Sequence, residues 1–268
     1  MAAGFVERLE AASRTCGASA CVGIDPHLER LPEVLGGGAA AARAYGLGVV
    51  RACAGVVPAV KPQVAFFEAH GSAGVAALED VVHAARAAGL LVVLDAKRGD
   101  IGTTAEAYAH ATIDDDGPTG ADAVTVSPYL GRESLDPFAA RLPGKGLFVL
   151  LRTSNPGAGA WQRGTPGMAD HVAEWLAANP SAGAVVGATL GDEGRAWRER
   201  LPNTWFLVPG YGAQGGDRAA VDVLRRADGL GALVVSARGV GFPASGRDGA
   251  DWESLIAERA RSFVRDLA

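Results

Sequence analysis

Asp95, Lys97 and Asp100 fall within one short stretch, Asp95-Ala-Lys97-Arg-Gly-Asp100, and this combination could do chemistry. In an extended strand, residues two apart point the same way, so Asp95 and Lys97 share a face. A lysine beside carboxylates is a poor Schiff-base former, because their charge keeps it protonated. It is suited instead to donating a proton and to stabilising negative charge that develops on carbon. A carboxylate set close to a substrate's own carboxylate would favour losing that group as CO2. The structural alternative is an ion-pair network that caps a strand end.

The flanking residues say how such a cluster is held. Leu91 to Leu94 is a continuous apolar run, which reads as a strand buried on both faces. Gly99 lets the backbone turn, and Thr103 or Thr104 can start the helix that follows. Similar apolar runs begin near Ala20, Val56, Ala123, Leu147, Ala182, Trp205 and Ala232, which makes eight. Helices are expected over about 5–15, 39–54, 74–88, 103–111, 168–178 and 252–267. Strands alternating with helices imply a parallel sheet with right-handed crossovers. Eight units in a chain of 268 residues, without a Pro/Ser-rich linker, predict one α/β domain over 1–268, a (β/α)8 TIM barrel. A dinucleotide-binding sheet is disfavoured because no GxGxxG follows the first strand. Asp25, Lys61, Asp95, Lys97, Ser127, Ser154, Gln214 and Arg238 all fall at or just after strand ends, where barrel enzymes place their chemistry.

Composition narrows the partners. A formal net charge of -5 gives no general attraction to nucleic acid or anionic membrane, so a bound phosphate must be held by local groups. No run approaches the length of a membrane span. The N-terminal residues carry acidic groups and no apolar leader, and Cys16, Cys21 and Cys53 form no disulfide framework. Together these point to a cytoplasmic protein with buried thiols. The five histidines show no HxxxH or HExxH spacing, so no metal site is expected. The glycine-rich loop from Pro209 to Gly216 and the Ser236-Ala-Arg238-Gly239 strand end sit where barrels commonly bind phosphate. Glycines let backbone N–H groups approach an anion, and Arg238 can hold it bidentately.

The stretch Asp95-Ala-Lys97-Arg-Gly-Asp100-Ile-Gly-Thr-Thr104 resembles the Asp-x-Lys-x-x-Asp-Ile signature of orotidine 5'-phosphate decarboxylases. Gly23-Ile-Asp25-Pro26, Val60-Lys61-Pro-Gln-Val-Ala-Phe-Phe-Glu68, Arg152-Thr-Ser154-Asn-Pro and Pro209-Gly-Tyr-Gly-Ala-Gln214 resemble the longer bacterial branch of that family. The resemblance covers nearly the whole chain. It implies a cofactor-free decarboxylase that converts orotidine 5'-phosphate to UMP and CO2, the last step of de novo UMP synthesis. Lys97 would protonate C6 of the carbanion left when CO2 departs, and Asp95 would hold Lys97 in place near the scissile group. Asp100 and Thr104 would reach across a homodimer interface into the partner's site. Asp25 and Lys61 would bind ribose hydroxyls, Ser154 would read the pyrimidine, and Gln214 would bridge base and phosphate. Arg238, with the backbone at Gly239, would hold the phosphate, and the loop that follows Pro209 would act as a lid.

Two other classes remain open on the residues. One is a metal-dependent sugar-phosphate lyase of the same barrel superfamily, such as a hexulose-phosphate synthase. The other is a catalytically inactive barrel that binds nucleotides as a regulator.

Overall fold

The computed structural model describes residues 3–164, 166–212, 215–242 and 251–268. Eight strands close into a barrel in chain order: β1 (Ala20–Ile24), β2 (Ala59–Pro62), β3 (Leu91–Arg98), β4 (Ala123–Val126), β5 (Gly146–Arg152), β6 (Gly183–Val186), β7 (Phe206–Pro209) and β8 (Ala232–Ser236). Every neighbouring pair, including β8 with β1, is parallel. The expected (β/α)8 architecture is the one observed.

Strand alternation divides the core in two. Val22, Val60, Val92, Val124, Val149, Ala184, Val208 and Val234 point outward into the layer beneath the helices. Cys21, Ala59, Val93, Ala123, Phe148, Val185, Leu207 and Leu233 point inward and fill the barrel. Gly183 makes room for Phe148, because a Cβ there would lie 2.5 Å from the ring. Two residues further along each strand, the next inward positions are Gly23, Lys61, Asp95, Thr125, Leu150, Gly187, Pro209 and Val235. The filling therefore gives way to charged and polar groups at the C-terminal ends of β2, β3 and β4, as barrel geometry requires of a site there.

The helices are α1 (Phe5–Cys16), α2 (Gly38–Cys53), α3 (Val64–Glu68), α4 (Gly71–Ala87), α5 (Gly102–Ile113), α6 (Asp136–Ala139), α7 (Ala158–Gln162), α8 (Met168–Ala178), α9 (Asp192–Arg200), α10 (Arg218–Asp222), α11 (Arg238–Gly241) and α12 (Trp252–Leu267). The outer helices cover the strands, whereas α1 closes the base of the barrel. Its Phe5 and Leu9 join the inward cluster, with Phe5 edge-on to Phe148 at 6.0 Å. Arg8 donates to Asp122 (2.6 Å), and Arg226 donates to Glu10 (2.7 Å), which fixes both sides of this plug.

Several local expectations change. The residues after Pro62 form the helix α3, not a continuation of β2, because Val64 and Phe67 bury together at helical spacing. Helix α5 begins at Gly102 with Ile101 at its cap, so Thr103 and Thr104 lie inside the first turn and start nothing. The acidic run Asp114–Asp116, which the sequence alone suggests is a solvated turn, is partly paired: Asp114 accepts from Arg141, and Asp115 accepts from Lys145 and Arg86.

Candidate active site

The organising group is the Asp95 carboxylate, at the inward position near the end of β3. Lys61 Nζ and Gln63 Nε2 donate to its Oδ2 at 2.5 and 2.9 Å. Lys97 Nζ and the Thr125 hydroxyl donate to its Oδ1 at 2.5 and 3.0 Å. Burial alone would push this carboxyl up, but Lys61 and Lys97 outweigh it and hold the group well below the usual carboxylate range. Burial likewise works against the charge on Lys61, yet Asp95 and Asp25 together raise its affinity for the proton. Lys61 and Lys97 thus keep the buried Asp95 ionised, and Asp95 and Asp25 keep Lys61 so.

The geometry at Lys97 is not that of a plain strand. Its φ is +46°, the only positive φ of a non-glycine residue among those described, and the β3–β4 register shifts between Leu94 and Arg98. Such a backbone costs on the order of 1–3 kcal/mol and persists only where neighbours over-determine it. Lys97 does share a side with Asp95, as simple alternation predicts, but it does so through a bulge.

Asp25, just past β1, brings a second carboxylate to the mouth. Its Oδ1 is buried without a hydrogen-bond partner among the described residues, and burial raises its pKa despite the pull of Lys61. A buried acceptor left open in this way suits a ligand hydroxyl.

Two adjoining cavities share Lys61, Asp95 and Pro209. The larger, about 460 Å³, is walled by Lys97 and Thr125 on one side, by apolar Leu150, Val185 and Leu207 at its floor, and by Ser154 and Asn155 at its rim. The smaller, about 190 Å³, runs from Asp25 and Gln63 to Gly210, Tyr211 and Arg238. Of the residues singled out from sequence, Asp25, Lys61, Asp95, Lys97, Ser154, Pro209 and Arg238 line these spaces. Gly239 adjoins Arg238 at the start of α11 and lines neither. Asp100 accepts from the Ile101 N–H (2.8 Å), while Thr104 is exposed on α5; neither lines a cavity within this single chain. Gln214 lies outside the described residues.

The glycine loop after β7 is folded on itself. Gly210, Gly212 and Gly215 all adopt positive φ, and the N–H groups of Gly212, Gly215 and Gly216 bond within the loop. Those three amides are committed within the loop, and the Arg238 side of the smaller cavity faces them. The element that carries Arg238 is braced from below. Tyr45 donates to the Gly241 carbonyl (2.9 Å) and stacks on Phe242 and Trp252.

Gln63 and Thr125 also bond Asp95, and neither is among the site residues that the sequence predicts. Gln63 lies in the Val60–Glu68 motif, which gives it no distinct signal. Thr125 had one available signal, a lone polar residue at an inward position of an otherwise apolar strand. A shared cation would find three His, Asp or Glu donors together, among the described residues, at His110, Asp114 and Asp116. That group stands at the end of α5 away from the mouth, with Asp114 already held by Arg141. Burial pushes the Cys21 and Cys53 thiols up to about 12, which leaves them inert.

The family model "Orotidine 5'-phosphate decarboxylase / HUMPS family" matches residues 20–241. The chain is 42% identical to the orotidine 5'-phosphate decarboxylase of Rhodopirellula baltica, over 89% of this chain and 88% of that protein. It is 47% identical to that of a Nocardioides species, over 91% and 90%. Among solved structures, the OMP decarboxylase of Leishmania donovani superposes with a TM-score of 0.80 at 36% identity, covering 98% of this chain and all of that one.

Proposed function

The chain belongs to the orotidine 5'-phosphate decarboxylase / HUMPS family, and from that premise we propose how this barrel mouth converts orotidine 5'-phosphate to UMP and CO2. The observation that carries the reading is the Lys61–Asp95–Lys97 cluster standing against the apolar floor of Leu150, Val185 and Leu207. A carboxylate seated between that floor and Asp95 has little solvation and a fixed anion beside it, whereas neutral CO2 is at home there. Fixed charge of this kind acts without reorganising during the reaction.

The substrate lies across both cavities. Arg238 holds the phosphate, aided by the backbone at Gly239, and Asp25 and Lys61 hold the ribose hydroxyls. Ser154 meets the pyrimidine at the rim of the larger cavity, which places C6 toward Lys97. The bond from C6 to the carboxyl carbon breaks, its electron pair stays on C6, and CO2 departs. A proton from Lys97 Nζ then forms the new C6–H bond, and solvent returns a proton to the amine. The net change is one substrate and one proton to UMP and CO2. Phosphate and ribose contacts remote from C6 supply the binding energy that places the reacting group against Asp95.

Asp100 and Thr104 complete the site from a second copy of the chain, so the working unit is a homodimer. The cytoplasm suits a chain whose cysteines are all unpaired. No helix of the described residues is long and apolar enough to cross a membrane.

The testing experiment is the loss of orotidine 5'-phosphate absorbance on adding purified protein with EDTA present throughout. Stoichiometric UMP is the expected result. No loss with EDTA, but turnover of a hexulose or pentulose phosphate once magnesium is restored, would move the chain to the family's lyase branch.

A further inference from the structure

We propose that Thr125 is a positioning residue for the proton donor, and that its hydroxyl sets the left-handed backbone of Lys97; this rests on the decarboxylase reading above. The hydroxyl makes two bonds at once. It accepts from the Lys97 backbone N–H at 3.0 Å and donates to Asp95 Oδ1 at 3.0 Å. One proton and a free lone pair are what a threonine offers, so both bonds form without competition. The same Asp95 oxygen accepts from Lys97 Nζ. The hydroxyl therefore ties the main chain of Lys97 to the anion that its own ammonium grips, and closes a small ring through β3 and β4.

Three observations give this ring a purpose. Lys97 holds a φ of +46° at the point where the β3–β4 register slips, so something must stabilise the bulge. Thr125 is 1% exposed, so a hydroxyl there is costly unless it is hydrogen-bonded. Finally, the neighbouring inward positions that wall the larger cavity, Leu150, Val185 and Leu207, are all apolar. A valine at 125 would continue that wall at the same size. The hydroxyl is thus unnecessary for filling the barrel and serves the two bonds it makes. Without it the Lys97 N–H loses its partner and the bulge relaxes toward regular strand, which turns Nζ away from C6.

The test is Thr125→Val and Thr125→Ser, assayed with the full chain for orotidine 5'-phosphate turnover and for UMP binding. Displacing a reacting group by about 1 Å costs up to roughly 100-fold, so kcat of Thr125→Val should fall about 10- to 100-fold. KM and UMP affinity should stay within about threefold, because the phosphate and ribose contacts are untouched. Thr125→Ser should recover most of kcat, since serine keeps the hydroxyl. An unchanged kcat in Thr125→Val overturns the proposal. So does a UMP affinity that falls in step with kcat, or a serine variant as impaired as the valine one. If the valine variant does not fold, Thr125→Ala is read against Thr125→Ser by the same criteria. An inactive wild-type chain would sink the decarboxylase reading and this inference with it, whereas an active wild type beside an unimpaired valine variant sinks this inference alone.

Discussion

Lys97 grips Asp95 while Asp25 Oδ1 is left open among the described residues, so variants of the two should behave differently. Lys97→Ala removes the proton donor but leaves the ribose and phosphate contacts, so kcat should fall by about 10²- to 10⁴-fold while UMP still binds. Isothermal titration with UMP beside the turnover assay checks both halves; near-native kcat would remove Lys97 from the donor role. Asp25 Oδ1 is buried without a partner among the described residues, and burial raises the pKa of the carboxyl. A carboxyl raised in the folded state binds its proton more readily there than when unfolded. Its charge therefore costs stability at neutral pH, and the cost vanishes as pH falls below the ordinary carboxylate value. Asp25→Asn should raise Tm by about 2–4 °C at pH 7, the shift that about 1 kcal/mol makes in a chain of this size, and the gain should close near pH 4. The same variant should raise KM about tenfold as a charged hydrogen bond to ribose weakens. Equal Tm values at pH 7 would show that the buried charge is not a burden. At this scale the sequence was informative where a residue type is rare at its position: a lysine or aspartate ending an apolar strand stands out. Gln63 did not, and Thr125 did so only weakly as the lone polar residue of β4, because glutamine and threonine are common near strand ends and only the closed barrel turns them toward Asp95.

Elements decide whether those side chains arrive together. The alternation of apolar runs with helical stretches made the barrel legible, and Met168–Ala178 and Trp252–Leu267 begin and end where their patterns suggest. The bulge in β3 left no such trace, since a register shift depends on what β4 offers across the gap. Helix α9, Asp192–Arg200, is illegible in the sequence because it is almost wholly polar and shows no apolar stripe. The bracing of α11 was equally hidden, for it joins residues nearly two hundred apart. It yields a prediction. Gly48 of α2 lies against the Trp252 ring of α12, and a Cβ there would sit 2.0 Å from it. Gly48→Ala must push Trp252 against Tyr45, which holds the end of α11. Stability should drop by about 1–3 kcal/mol. Because α11 begins with Arg238, KM should rise more than kcat falls. Thermal melts with steady-state kinetics read both, and an unchanged Tm would mean the ring simply swings aside.

For the whole molecule, the question is whether one chain suffices. Asp100 and Thr104 line neither cavity of their own chain, so a site that uses them needs a second copy. Lys97→Ala and Asp100→Ala variants, each inactive alone, should regain activity when unfolded and refolded as an equal mixture. Random pairing under two-fold symmetry gives one intact site in half the dimers, so about a quarter of wild-type activity is expected. No recovery would mean that each site is built within one chain. The plug formed by α1 has a consequence of another kind. With the base sealed, every molecule entering or leaving uses the mouth. Phe5 begins the plug, and Leu267 and Ala268 lie beside Ser13 and Gly17 at that same sealed end. Phe5 and Ala268 are therefore handles on the blind side of the vessel. A surface anchor or a fused partner attached at either handle leaves the opening facing the bath.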